Sequence, residues 1–190
     1  MLVYDSRQDG KPVAEINPPA GKKRDCWAVK FAHDIGGERS VCAGFDSGEL
    51  LMVDLRTMRV HWSDKLASGI CSLSVSDRSS DSPLLAVSGL DGLAQVYDIV
   101  NKQPTARAAI AAAPLPAGTA ARKPITRWRT QFAPKDPDTL LFFNSDGAAD
   151  ISSRKKDAPV WPAMARFQIS KQAVSSFDCR YARAASQYRR

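Results

Sequence analysis

Three carboxylates recur where a search for chemistry begins. Asp46, Asp91 and Asp146 each follow an apolar run and stand one or two residues before a glycine, Gly48, Gly92 or Gly147. Carboxylates brought together in this way can divide the work of general acid and general base. A hydrolytic triad would need a histidine beside a serine or cysteine and an acid. The two histidines, His33 and His61, flank different expected strand ends, and no G-x-S-x-G occurs. Gly36-Gly37 lacks the Lys-Ser/Thr that follows a phosphate-cradling loop. Cys26, Cys42, Cys71 and Cys179 form no C-x-x-C pair and are not spaced with the histidines as zinc ligands. These residues point away from an enzyme and imply neither a metal nor a cofactor.

The aspartates read instead as turn formers, because the elements around them repeat. Cys26-Trp27-Ala28-Val29-Lys30-Phe31, Ile70-Cys71-Ser72-Leu73-Ser74-Val75 and Arg127-Trp128-Arg129-Thr130-Gln131-Phe132 align, with second positions 44 and 57 residues apart. Most of each segment alternates apolar with polar, as a half-buried strand does. The turn glycines follow Trp27, Cys71 and Trp128 by 21, 21 and 19 residues. Asp-Gly between two apolar runs is a strong hairpin pattern, because such a turn needs positive φ. Asp54 and Asp98 then stand six residues after Gly48 and Gly92, at strand ends. Ser153 takes that place in the third unit, and Val3-Tyr4-Asp5-Ser6-Arg7 opens the chain with the same pattern.

This register predicts strands near 26–32, 40–45, 49–54 and 59–64, then 70–76, 84–89, 93–98 and 104–110, then 126–132, 139–144, 148–153 and 164–169. Val13 to Ile16 is expected as the outer strand of an earlier unit and Val174 to Cys179 as the inner strand of a later one. Ala106 to Ala121 holds nine alanines, with Pro114 and Pro116, and explains the longer second spacing as a low-complexity insertion read as a mobile loop.

A period of about 44 residues with four short strands is one blade of a WD-repeat β-propeller. The expected fold is all-β: a partial ring of about three complete four-stranded blades with partial blades at both ends. Residues 1–180 form the arc, with a blade end at 1–21, blades at 22–66, 67–110 and 122–170, and a partial blade at 171–180. Residues 181–190 form a basic tail. No Gly-His pair occurs and Val53 or Tyr97 precedes the aspartate, so the spacing carries the assignment. An open arc leaves strand edges and apolar faces in water, so the expectation is a piece of a longer ring that the missing blades of a parent protein complete.

The 190 residues are 44% hydrophobic and 25% charged, a globular composition. No apolar run approaches the ~18 residues of a spanning helix. Met1 to Gly10 carries three charges of mixed sign and no apolar core, unlike a secretory leader. Three of the four cysteines lie in strand-like apolar runs, which suits reduced thiols and a cytoplasmic location. The net charge of +7 raises the question of nucleic acid. Arg180, Arg183, Arg189 and Arg190 supply four of those charges as a tail, and Lys22-Lys23-Arg24 and Arg154-Lys155-Lys156 are each closed at once by Asp25 or Asp157. Solvated turns are the simpler reading of both clusters. The alternative function is a basic nucleic-acid-binding or ribonucleoprotein-associated propeller fragment, which lacks the aromatic-basic interleaving of an RNA-binding strand.

Propellers bind through short loops at the mouths of their inner strands. The loops at Gly21 to Asp25, Ala67 to Gly69 and Arg122 to Pro124 make Arg24, Asp25, Trp27, Ser68, Lys123 and Trp128 the protein-binding residues to examine. Packing at the start of the inner strands is the first expectation for Trp27 and Trp128, and exposure as interface anchors the second. Trp62 and Trp161 are expected to pack near outer strands.

Several stretches occur in family order. Arg24-Asp25-Cys26-Trp27, Val41-Cys42-Ala43-Gly44-Phe45-Asp46-Ser47-Gly48, Asp54-Leu55-Arg56-Thr57-Met58 and Gly69-Ile70-Cys71-Ser72-Leu73 resemble the central blades of the monad-type WD-repeat family. Asp5 to Pro12 with Val13-Ala14, and Ala173-Val174-Ser175-Ser176-Phe177-Asp178, are similar to its flanking blades. The match is good over residues 1–100, weak over 101–170 and lost after Cys179. The resemblance implies a non-enzymatic, cytosolic propeller of seven blades, of which this chain covers roughly the C-terminal half. It implies partners in co-chaperone complexes, among them RuvB-like ATPase and prefoldin-like machinery, and among dynein assembly clients, with a role in preassembly of axonemal dynein arms.

Overall fold

The computed structural model describes residues 1–18, 23–32, 39–76, 83–99, 105–110, 125–134, 136–155 and 161–170. The expected strand at 174–179, the basic tail, Lys123, His33, Gly36-Gly37 and most of the Ala/Pro insertion lie outside these residues.

Among the described residues there are fourteen strands and no helix. β1 (Leu2–Tyr4) and β2 (Pro12–Glu15) form a two-stranded antiparallel sheet. The first blade is β3 (Cys26–Ala32), β4 (Ser40–Phe45), β5 (Glu49–Asp54) and β6 (Arg59–Lys65). The second is β7 (Ile70–Val75), β8 (Leu84–Gly89), β9 (Ala94–Asp98) and β10 (Thr105–Ile110). The third is β11 (Arg127–Ala133), β12 (Asp136–Asn144), β13 (Ala148–Ser153) and β14 (Ala163–Gln168). Each blade is an antiparallel meander in chain order, so short turns suffice to connect it. Ala106 to Ala109, at the head of the alanine-rich stretch, lie in β10 rather than in a loop.

The blades stack on alternating faces of their strands, which follows from the period of two. Val41, Ala43, Leu51 and Val53 of the first blade pack with Phe45 and with Ile16, beyond β2. Their sequence neighbours Cys42, Leu50 and Met52 point the other way, onto Leu73, Leu85, Val87, Tyr97 and Ile99 of the second blade. Leu84, Ala86, Ala94 and Val96 then pack against Phe132, Leu140, Phe142 and Trp161 of the third. Every residue of β4 and β8 is buried, because both faces of a middle strand meet a neighbour. Trp161 is buried with its ring edge-on to Phe132, and Trp62 packs edge-on to Tyr97.

The turns repeat in their backbone hydrogen bonds. The amides of Gly48, Gly92 and Gly147 donate to the carbonyls of Phe45, Gly89 and Asn144 at 3.0, 3.2 and 3.1 Å. Their φ angles are +88°, +78° and +80°, which a side chain resists and glycine adopts freely. Asp91 and Asp146 accept the amides of Leu93 and Ala148 at 3.0 and 3.1 Å. Asp54 accepts the Arg56 amide at 2.8 Å and the Thr57 hydroxyl at 2.9 Å, which holds its carboxyl below the usual range. At the equivalent place Ser153 accepts the Thr139 hydroxyl at 3.1 Å. Asp5 accepts the amide and Nε of Arg7 at 3.0 and 2.9 Å, and its pKa falls to about 2.

Candidate functional site

The inner strands β3, β7 and β11 lie side by side and line one open cleft of about 540 Å³. Its floor is Cys71 to Val75, and its two walls are Trp27 to Lys30 and Trp128 to Phe132. The amides of Thr130 and Phe132 donate to the hydroxyls of Ser72 and Ser74, both at 3.1 Å, and tie the third blade to the floor.

Trp27 and Trp128 are 48% and 43% exposed, so they do not pack as core residues at the strand starts. The physical reason is their position. An innermost strand has no further layer of protein inside it, and only the seam between blades can cover its side chains. For Trp27 that seam is tight: a Cβ on Gly69 would lie 3.0 Å from the Trp27 ring and 2.5 Å from the Asp46 carbonyl oxygen. The indole therefore stands against a backbone that only glycine allows so close.

Arg24 and Asp25 are exposed just before β3, and the Asp25 carbonyl accepts the Asp46 amide at 3.0 Å. Ser68 is half-buried, and its hydroxyl accepts the Asp91 amide at 3.3 Å, so it joins the first blade's loop to the second blade's turn. Lys123 lies outside the described residues. Of the residues singled out in the sequence, the cleft thus brings together Trp27 and Trp128. It adds Lys30, which is exposed, and Arg129, which is partly buried. Both cations were legible as near neighbours of the tryptophans, Trp27-x-x-Lys30 and Trp128-Arg129. Reading strands singly hides that they share a wall-to-wall space.

The recurrent aspartates are not gathered into an acid-base site. Asp46, Asp91 and Asp146 each belong to a different blade turn. Among the described residues no group of three or more His, Cys, Asp or Glu side chains is placed to hold a metal. Cys26, Cys42 and Cys71 are free thiols. Burial raises all three pKa values, to about 12 for Cys42 and about 11 for Cys71, which suppresses the nucleophilic thiolate.

One charged cluster escaped the sequence reading. Asp150 is 1% exposed and accepts Arg166 Nη1 and Asn144 Nδ2, both at 2.9 Å. Arg166 also pairs with Asp146. Arg127, likewise 1% exposed, donates to the Ile110 carbonyl at 2.8 Å and stands 3.9 Å over the Phe142 ring. Burial lowers the Arg127 pKa to about 10, with the Asp150 charge working against that shift. By register, Asp150 faces Arg166 as Leu51 faces Ser63 in the first blade, and Arg127 faces Asn144 as Cys26 faces Phe45. The third blade thus has Asp150 and Arg127 where the first has Leu51 and Cys26, and Arg166 where the first has Ser63.

The arc has solved counterparts. Sqt1 of Saccharomyces cerevisiae superposes with a TM-score of 0.64 at 11% identity, over 80% of this chain and 38% of that one. The β-propeller domain of Cps50 (Swd1) from Myceliophteria thermophila gives 0.59 at 16% identity, over 80% and 46%. The chain has the fold of a partial β-propeller. No family model matches the propeller arc. Its sequence relatives bear one name, dynein axonemal assembly factor 10. The Xenopus laevis protein is 33% identical over 161 residues, and the Homo sapiens protein 31% over 162. The Chlamydomonas reinhardtii protein is 30% identical over 149 residues. The first two alignments take in 84% of this chain but 42% and 43% of the relatives, so the chain spans about two fifths of their length. These relatives bear out the resemblance read from the blade motifs, over 84% of the chain. Among the described residues no helix is long and apolar enough to cross a membrane.

Proposed function

We propose that this propeller arc is a non-enzymatic, cytoplasmic scaffold that holds protein partners during the assembly of axonemal dynein arms. The observation that carries the reading is the run of relatives named dynein axonemal assembly factor 10, aligned over 84% of the chain, on a fold whose blades hold a cleft open. Its partners are dynein assembly clients or subunits of a co-chaperone complex. Further blades of a parent protein complete the ring beside this arc and leave its inner strands facing the channel. The exposed Trp27 and Trp128 support the scaffold role, since large rigid side chains with few rotamers make strong contact anchors.

The test is capture from the cytoplasm of ciliated cells with the tagged chain, scored for dynein heavy-chain assembly intermediates. Retention by the native chain, and loss with Trp27→Ala plus Trp128→Ala, is the expected result. A native chain that retains none of these intermediates overturns the reading.

A further inference from the structure

The inner-strand cleft has a chemical bias that its scaffold role does not by itself require. Its cations, Lys30 and Arg129, stand on opposite walls, and no Asp or Glu is among the described residues that line it. Neither cation has an ion pair or hydrogen-bond partner among the described side chains. Three bases outside the cleft are closely paired: Arg154 with Asp138 at 2.7 Å, Lys65 with Glu49 at 2.9 Å and Arg166 with Asp150 at 2.9 Å. Two unpaired cations in a partly enclosed cleft raise its potential, because the low-dielectric walls focus the field.

The shape narrows the occupant further. The cleft is walled by extended strands, and its two tryptophans occupy equivalent positions at the start of β3 and β11. The Ser72 and Ser74 hydroxyls on the floor accept the Thr130 and Phe132 amides, which leaves their O–H groups as donors facing the same carboxylate-sized space. We propose that the cleft receives an extended acidic peptide segment of a partner protein, its carboxylates meeting Lys30 and Arg129 and its apolar groups lying on Trp27 and Trp128. This rests on the scaffold reading and names the chemistry of the partner. Aromatic rings with cations also suit single-stranded nucleic acid, which tracks a basic groove over roughly 4 to 16 nucleotides. Two cations in about 540 Å³ match a few carboxylates better than such a phosphate run.

The experiment titrates the full chain with fluorescein-labelled hexaglutamate and follows anisotropy and tryptophan emission. Hexalysine and a labelled oligouridine of eight nucleotides are parallel probes. Hexaglutamate is expected to bind, to quench tryptophan emission, and to weaken as salt rises past the range where screening takes hold. Lys30→Glu with Arg129→Glu is expected to weaken it by about tenfold or more, and Arg59→Glu, on the outer strand β6, by less than about twofold. Circular dichroism and melting of each variant show that it folds. Equal binding by the charge-reversed chain, no binding by the native chain, or tighter binding of oligouridine overturns the inference. The capture assay reads the scaffold role separately. Lost peptide binding with capture intact overturns the acidic-segment inference alone, whereas failed capture by the native chain overturns the scaffold reading.

Discussion

The hydroxyl of Tyr97, in the second blade, donates to the carboxylate of Asp64, in the first, at 2.8 Å. The ring beneath it is buried and edge-on to Trp62, with centroids 5.5 Å apart. Burial first, and then the Asp64 hydrogen bond and charge, push the Tyr97 pKa well above the usual value of 10. A raised acid pKa means that the folded state favours the neutral phenol. The resulting stability is complete below the unfolded pKa and is lost as pH rises above about 10. Ultraviolet titration should show Tyr97 ionising only with unfolding. Tyr97→Phe should cost about 1–2 kcal/mol in denaturant melts at pH 7 and flatten that alkaline loss.

The seam between the second and third blades depends on two serines. Ser72→Ala or Ser74→Ala removes the acceptor of the Thr130 or Phe132 amide. Each should cost about 1 kcal/mol, more for Ser74, whose bond is fully buried. Hydrogen exchange at the Thr130 and Phe132 amides should accelerate, while the Leu55 amide, bonded to the Arg39 carbonyl in the first blade, should not.

The buried charges of the third blade stand or fall together. Asp150→Leu alone removes the buried carboxylate beside Arg127 and leaves Arg166 only its pair with Asp146, and should cost about 3–5 kcal/mol. Copying the first blade at all four places, with Asp150→Leu, Arg166→Ser, Asn144→Phe and Arg127→Cys, should recover most of that loss. Paired apolar replacement of buried ions is often neutral, and neighbouring sites do not add. Denaturant melts of the single and quadruple variants decide it.

The thiols should be slow. With Cys42 at about 12 and Cys71 at about 11, aromatic disulfide reagents at pH 8 should leave both unreacted in the native chain and titrate them at once in guanidinium. Rapid native labelling of Cys42 would mean that the seam around it opens far more often than its burial indicates.

Val29 and Phe31 are 52% and 66% exposed on the face of β3 that they share with Ala43 and Val41. That apolar face should drive self-association. Sedimentation should show species heavier than 20.7 kDa that dissociate on dilution, and Phe31→Ser should shift the balance toward monomer. A monodisperse, cooperatively melting monomer would contradict this.

Much of the architecture was legible because each unit writes its register twice, in alternation and in turn chemistry. The predicted 40–45 and 49–54 coincide with Ser40–Phe45 and Glu49–Asp54, since Gly48 between them fixes both ends. The cleft was half legible. Tryptophan at the second place of an inner strand reads as core, because nothing local reveals that no layer lies inside it. The buried ion cluster was illegible for a different reason. Asp150 and Arg166 are 16 residues apart and meet only through the β13–β14 register, so in sequence they resemble two faults in a fading repeat.

The same structural layer is filled with oil in one blade and with ions in another. Leu51 and Phe45 stand where Asp150 and Asn144 stand. Repeated units of one architecture in one chain invite mistaken stacking while they fold. A third blade that slid into the first blade's place would set Asp150 against Ile16 and strand a carboxylate in hydrocarbon. The decay of the repeat thus works as an address. That one misplacement carries a cost which the native order of the arc avoids.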